Sequence, residues 1–272
     1  MLKRMLTSII GIPLSIVILI FANKYIVDII VGILALMGVY EVFKCLKEKY
    51  NPVFWIGFLA CLLIPFIHII PESILNILFM LFPLCILVVL LMQGVFTRMK
   101  TSFSDIAVSY VGIIYIVGLF TFVVMLFGYE NNGMQLGKYY IWYLFLATWG
   151  SDAFAYLIGV KFGKHKFSKI SPKKSIEGSI AGIVGGICLM LIATIIFNNC
   201  FDLSINYIFV ALIGLVLTIL GQIGDLVASS IKRSVDVKDF SNLLPGHGGI
   251  VDRFDSVIFA APFAFFLFTL LL

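Results

Sequence analysis

Long apolar stretches alternate with short polar segments along the whole chain. A transmembrane helix needs about 20 mainly apolar residues to cross the hydrocarbon core of a bilayer. The pattern therefore predicts an all-α, polytopic integral membrane protein with about nine transmembrane helices. The predicted spans are residues 5–22, 26–43, 53–70, 74–92, 105–127, 140–160, 178–197, 206–230 and 254–272.

The segments between the predicted spans are too short to hold a soluble domain, and no internal repeat is visible. We expect one transmembrane domain over residues 1–272, with N-terminal helices in 1–130 and a second half, 140–272, that carries two polar loops. The basic start of the first apolar stretch is typical of a signal peptide. Because residues 21–23 (Phe-Ala-Asn) offer no small-x-small cleavage site, we expect this stretch to be retained as a helix.

Composition narrows the class of protein further. Of 272 residues, 62% are hydrophobic and 12% are charged, and the mean hydropathy is +1.14. Soluble domains have about 25% charged and about 45–50% apolar residues, so a soluble protein is excluded. The cysteines show no C-x-x-C pair and no metal-binding spacing, so we expect small core residues rather than disulfides. They are Cys45, Cys61, Cys85, Cys188 and Cys200.

Lysine and arginine positions predict the orientation in the membrane. With the N-terminus in the cytoplasm, 17 of the 19 basic residues fall in cytoplasmic segments, and Lys24 and Lys138 fall outside. Basic residues favour the cytoplasmic side, so we expect a multi-pass protein of the cell membrane (inner or plasma membrane) with both polar loops inside. The net charge of +5 is therefore concentrated on one face, and no nucleic-acid partner is expected. Ten of the 17 crowd into loops 161–177 and 231–253.

The first polar loop lies in "GVKFGKHKFSKISPKKSIEGS", residues 159–179. Its glycines permit tight turns, and Ser-Pro breaks any helix before Lys173 and Lys174. Two adjacent lysines near a helix N-terminus, with Glu177 at the start of the next span, suit a phosphate group. A basic loop held to anionic lipid headgroups is the alternative.

The eighth predicted span ends in polar residues. If it enters from outside near residue 206, Asp225 lies about 29 Å along the helix, close to the inner interface. Gln222, Asp225, Ser229 and Lys232 share one helix face. A carboxylate inside the membrane costs about 2.5–3.5 kcal/mol, so it usually faces a cavity and has a partner. The alternative is a structural Asp225–Lys232 pair, with the lysine reaching the headgroups.

The second polar loop ends in a glycine-rich turn at residues 245–249, whose backbone amides could face an anion. Asp252 and Asp255 share a face at the start of the last span. Carboxylates from two helix ends, Asp225 and Asp252, with cations nearby, are suited to magnesium-dependent phosphoryl transfer. His247 is either a catalytic residue or a turn histidine.

The run "SSIKRSVDVKDFSNLLPGHGGIVDRFD", residues 229–255, resembles the signature of the phosphatidate cytidylyltransferases (CDP-diacylglycerol synthases). A second block resembles the family's Asp, F-G-K-x-K and S-P-K-K-x-x-E-G elements, at Asp152, 162–166 and 171–178, with Ile176 where many members carry tryptophan. The signature positions met are Ser229, Lys232, Arg233, Lys238, Asp239, Ser241, Pro245, His247, Gly248, Gly249, Asp252, Arg253 and Asp255.

The resemblance implies that CTP and phosphatidate give CDP-diacylglycerol and pyrophosphate, for phospholipid biosynthesis. It implies a Mg²⁺ ion on Asp225 and Asp252, a second cation (a monovalent ion is one candidate), and a homodimer. Half 140–272 would then be the catalytic half. The implied catalytic residues are Asp225, Asp252, Lys232, Ser229 and His247. The implied substrate-binding residues are Lys173, Lys174, Arg233, Lys238, Gly248, Gly249 and Arg253, and the supporting residues are Asp152, Glu177, Asp239 and Asp255.

Other functions fit the sequence less well. A CTP-dependent lipid kinase, for polyprenol or phytol, would share the nucleotide and the membrane setting. A cation-coupled transporter would also carry intramembrane acids, here Asp28, Glu41, Asp105, Asp152 and Asp225, but usually near mid-bilayer and with repeat symmetry. A CDP-alcohol phosphotransferase needs the string D-x-x-D-G-x-x-A-R, which this sequence lacks.

Overall fold

The computed structural model describes residues 13, 15–97, 100–166, 171, 174–243 and 248–272, and within these ranges the regular structure is helical, without strands. The helices are α1 (Lys24–Leu46), α2 (Phe54–Cys61), α3 (Glu72–Phe96), α4 (Phe103–Phe127), α5 (Gly137–Phe162), α6 (Ile176–Phe201), α7 (Tyr207–Ser234) and α8 (Val251–Leu271). π-Helical turns interrupt α4 at Ile114–Gly118 and α5 at Leu146–Gly150.

Seven helices of the described chain, all except α2, are long and apolar enough to cross a membrane. They confirm the prediction of an all-α polytopic membrane protein. The predicted count of nine is not confirmed. Most of the first predicted span, 5–22, lies outside the described residues. The third, 53–70, is a short apolar helix that runs into a 3-10 turn at Ile64–Phe66.

Residues 53–70 pack along α1, although they do not form one continuous helix. Pro65 has no N–H to donate, so the chain leaves the α-helix near this residue. A Cβ at Gly57 would lie 2.7 Å from Val39 Cγ1, and His68 Nδ1 lies 2.9 Å from Asp28 Oδ1. From Val39 to Asp28 the helix rises about 16 Å. The segment therefore runs antiparallel to α1, as a membrane span would, although it is not one continuous helix.

The chain forms two compact units, each discontinuous in sequence. The first contains Met1–Gly128 and Ser234–Arg253, and the second contains Tyr129–Arg233 and Phe254–Leu272. The single transmembrane domain with halves 1–130 and 140–272 stays a prediction. The structure adds that the second polar loop packs with the N-terminal helices.

Small residues bring the helices of the second unit into close contact. A Cβ at Gly182 of α6 would lie 2.7 Å from the backbone oxygen of Ser151 in α5, so only glycine permits this approach. The Gln222 side chain of α7 donates hydrogen bonds to Ser151 Oγ at 3.2 Å and to the Ser179 backbone oxygen at 3.0 Å. These two hydrogen bonds connect α7 to α5 and α6 near the ends that carry the polar residues.

Candidate active site

Hydrogen bonds close the two ends of the first polar loop. Ser175 caps α6, because its hydroxyl accepts from the Gly178 N–H at 3.1 Å. Glu177 accepts from the Lys164 N–H at 3.1 Å and contacts His165 Nδ1 at 2.6 Å. Glu177 was predicted to support the site by orienting its cations. In the structure this carboxylate holds the turn after α5, and its supporting role stays a prediction.

Lys174, at the end of that loop, forms an ion pair with Asp225 of α7. Lys174 Nζ lies 2.5 Å from Asp225 Oδ2, and the side chains are 24% and 28% exposed. The contact joins the first loop to the helix that leads into the second. The Asp225–Lys232 pair considered from sequence stays a prediction.

Two more acids belong to the electrostatic surroundings of Asp225. The Asp225 carboxylate repels Asp152 of α5 and Asp255 of α8, and these two acids repel each other. Lys174 attracts Asp152, and Lys232 attracts Asp255. Asp255 is 5% exposed and Lys232 is 8% exposed. The second unit thus contains an acid–lysine cluster, defined by Asp152, Lys174, Asp225, Lys232 and Asp255. The sequence predicted all five as site residues, and the structure brings them together.

Asp252, in the first unit, organises the residues around it. Its Oδ2 accepts from the Phe240 N–H at 3.0 Å and from the Gly249 N–H at 2.9 Å. Gly248 adopts φ +80°, and a Cβ there would lie 2.8 Å from Asp252 Oδ2. The left-handed backbone and the lack of space both favour glycine. Asp252 therefore closes the end of the second polar loop.

Glu41 of α1 is a residue of this region whose role sequence reasoning missed. It is 1% exposed, and its carboxylate accepts from Ser241 Oγ at 2.7 Å. It also accepts from the backbone N–H groups of Ile250 and Val251, each at 3.0 Å. A buried acid inside an apolar helix was the available signal, but the sequence did not indicate its partners.

Lys49, just beyond α1, contacts the start of the same loop. Its ammonium donates to the Ser234 backbone oxygen at 2.7 Å and to Asp236 Oδ2 at 2.8 Å. The hydrogen bond and the positive charge of Lys49 lower the pKa of Asp236 below its ordinary value of 3.8. Because the two side chains are 45% and 84% exposed, salt will screen this pair.

The remaining predicted site residues lie on α7, on α8, in the second polar loop or outside the described chain. Ser229 is half-buried on α7, whereas Arg233, Lys238, Asp239 and Arg253 are exposed. Exposed basic side chains can bind phosphate without a desolvation penalty. Lys173 and His247 lie outside the described residues, so their roles stay predictions.

The acids considered for a transporter have local structural partners. Asp28 pairs with His68 at 2.9 Å. Asp105 forms a capping box with Ser102 at the start of α4 and accepts from the Asn51 N–H at 2.7 Å. Such contacts explain these buried acids without an ion pathway.

The residues of this region offer carboxylate oxygens as possible ligands of a magnesium ion. Within the described residues, no three His, Cys, Asp or Glu side chains lie close enough to hold a metal. Magnesium commonly takes one or two carboxylates and completes its shell with water and substrate phosphates. Asp225 has a partly exposed carboxylate and Asp252 is half-buried, so each carboxylate by itself suits the role of such a ligand.

The seven long apolar helices and the acid–lysine cluster define a polytopic membrane protein with a polar site at the helix ends of its second unit. The sequence profile of the Cytidylyltransferase family matches residues 2–271. The chain belongs to that family.

Three relatives have the same name, phosphatidate cytidylyltransferase. The protein of Bacillus subtilis (strain 168) is 41% identical over 181 residues, which are 66% of this chain and 62% of the relative. That of Staphylococcus haemolyticus (strain JCSC1435) is 39% identical over 64% of this chain and 63% of the relative. That of Staphylococcus aureus (strain COL) is 40% identical over 61% and 58%. The matched chain thus spans less than two thirds of these relatives' length.

Proposed function

We propose that the protein transfers the cytidylyl group of CTP to phosphatidate, giving CDP-diacylglycerol and pyrophosphate for phospholipid biosynthesis. Its membership of the cytidylyltransferase family supports this activity, as do the names of its relatives. The observation that carries the proposal is the ion pair of Lys174 with Asp225. It joins the two polar blocks whose residues match the signature of the phosphatidate cytidylyltransferases.

In the proposed reaction, a phosphate oxygen of phosphatidate attacks the α-phosphorus of CTP, and pyrophosphate leaves. The attacking oxygen is already anionic near neutral pH, so a strong general base is not required. The protein then contributes mainly by holding the two anionic substrates together and by offsetting their charge. A site rich in lysine and arginine suits that task.

The basic residues have proposed roles as phosphate ligands. Lys174 lies in the acid–lysine cluster and would bind a phosphate group close to Asp225. Lys232, only 8% exposed, would bind a phosphate group from within the cluster. Further proposed phosphate ligands are Lys173, Arg233, Lys238 and Arg253, with the amides of Gly248 and Gly249.

Asp225 and Asp252 are the proposed ligands of a Mg²⁺ ion, and a second cation is proposed beside it. The bound magnesium would neutralise triphosphate charge. Asp152 and Asp255 would orient the cluster lysines, because each carboxylate interacts with a cluster lysine.

The proposed setting is the cytoplasmic face of the cell membrane, where CTP is available, and the proposed assembly is a homodimer. The distribution of lysine and arginine supports the orientation. Neither the CTP-dependent lipid kinase nor the transporter is favoured by the family or by its relatives' names.

The experiment that tests the proposal follows two labels of CTP. Purified protein in phosphatidate-containing micelles should transfer ³²P from the α-position of CTP into a solvent-extractable lipid, and only when phosphatidate is present. Label from the γ-position should appear in pyrophosphate. Transfer of γ-label into lipid would instead identify a lipid kinase, and no transfer of either label would refute the proposed function.

A further inference from the structure

Glu41 lies where a charge is hard to accommodate. It lies in α1, a 23-residue apolar helix, and is 1% exposed. A carboxylate at such a place persists only when partners replace the lost water. The backbone N–H groups inside α1 are used by the helix itself, so the partners of Glu41 come from elsewhere in the chain.

All three hydrogen bonds to Glu41 come from one short stretch, which we name the entry segment: Phe240–Leu243 with Gly248–Asp252. The donors are Ser241 Oγ, and the N–H groups of Ile250 and Val251. The two backbone donors lie at the start of α8, where a helix has N–H groups without intrahelical acceptors. A carboxylate there also interacts favourably with the helix dipole.

Glu41 and Asp252 accept hydrogen bonds from different donors of the entry segment. Asp252 accepts from Phe240 and Gly249, whereas Glu41 accepts from the residues next to these in sequence, Ser241 and Ile250. Each carboxylate thus binds one donor before residues 244–247; after them, Asp252 binds one donor and Glu41 binds two. The backbone of Asp252 follows directly from Val251, which Glu41 holds.

The packing around Gly249 indicates the same arrangement. A Cβ at this residue would lie 2.5 Å from Glu41 Oε2 and 2.9 Å from Oε1. No other residue type would leave room for the carboxylate to reach the two N–H groups that follow. Gly249 was predicted to bind substrate, and the structure provides a further reason for glycine there.

We propose that Glu41 is a positioning residue that holds the entry segment and thereby sets the orientation of Asp252. This inference rests on the proposed function for its effect on turnover. The contact itself can be tested without any reaction. Through Glu41, an N-terminal helix that carries none of the signature residues would contribute to catalysis.

The test compares Glu41→Gln with Glu48→Gln, a matched control at an exposed acid just beyond α1. Glutamine keeps the size of the side chain but replaces one acceptor oxygen by an NH₂ group, which opposes an N–H donor. In Glu41→Gln the Ile250 and Val251 amides should exchange hydrogen for deuterium faster than in the wild type. The kcat should fall about 10- to 100-fold, as for other residues that orient a catalytic ligand. The KM for CTP should change little, and Glu48→Gln should match the wild type in every measurement.

Ser241→Ala is the second variant, because it removes one donor and leaves the buried carboxylate its two backbone partners. It should fold, speed amide exchange at Ile250 and Val251, and lower kcat by a smaller factor. Combined with Glu41→Gln it should add little, since both act through one contact. Wild-type exchange and kcat in folded Ser241→Ala and Glu41→Gln would overturn the proposal. If the wild type transfers no cytidylyl group but the exchange result holds, the proposed function fails and the positioning role of Glu41 stands.

Discussion

Lys174 and Asp225 form an ion pair, with Nζ and Oδ2 2.5 Å apart, between the loop after α5 and the C-terminal part of α7. The two residues are 51 positions apart in sequence. Each was a candidate by itself, one as a phosphate ligand and the other as a metal ligand. Their contact places the proposed phosphate ligand beside the proposed metal ligand, and variants of either residue can test these roles.

Lys174→Ala should reduce kcat/KM for CTP about 10- to 100-fold, since a contact with a charged group contributes about 1.5–3 kcal/mol. The reason is the loss of a phosphate ligand together with the loss of the counter-charge of Asp225. Steady-state kinetics at varied CTP would measure it. Lys161→Ala, at an exposed residue near the end of α5, is the matched control and should be unaffected. Equal kinetics for the two variants would leave the loop as a headgroup anchor.

Asp225→Asn and Asp252→Asn should each abolish most turnover, about 100-fold or more, because an amide is a poorer magnesium ligand than a carboxylate. The double variant should be scarcely worse than either single variant if the two acids serve one ion. Asp202→Asn, at the exposed end of α6, is the control. Near-normal magnesium-dependent activity in both folded single variants would move the metal to other acids, first of all Asp152 and Asp255.

Asp236→Asn should lower the thermal stability of the protein at neutral pH, because the Lys49 ammonium then faces a neutral amide in place of a carboxylate. The folded-state pKa of Asp236 lies below its ordinary value of 3.8. The stabilisation is therefore present above that value and is lost as the pH falls through the folded-state pKa. Melting curves should show a wild-type advantage at pH 7 that shrinks toward zero in strong acid and in high salt. An advantage that grew on acidification would contradict the assignment.

The predicted orientation can be tested by thiol labelling. Cys200 is exposed at the end of α6, whereas Cys45, at the inner end of α1, is buried and unsuitable as a reporter. Glu48→Cys provides an exposed thiol at that end. With the other cysteines replaced by serine, a membrane-impermeant maleimide added outside intact cells should label Cys200 and spare the thiol at 48. The reverse labelling would refute the predicted cytoplasmic side of both polar loops.

Sequence reasoning predicted the features that depend on local pattern. Apolar runs of membrane length located the long helices, and the family resemblance of the two polar blocks identified the members of the acid–lysine cluster. The helix break at Pro65 was missed, because an apolar run does not show whether the backbone inside it is continuous. The partners of Glu41 and Asp225 could not be predicted either, since hydrogen bonds over 209 residues and ion pairs between loops depend on tertiary packing.

The separation of 209 positions between Glu41 and Ile250 also determines the order in which this contact can form during biosynthesis. When α1 enters the bilayer, Ser241, Ile250 and Val251 have not yet been translated. The nascent protein must carry the acid of α1 without these donors, at a cost of about 2.5–3.5 kcal/mol if it is charged, until α7 has followed. The first unit can therefore reach its final hydrogen bonding only near the end of synthesis, and a ribosome stalled before residue 241 would leave α1 held in the membrane by its apolar residues alone.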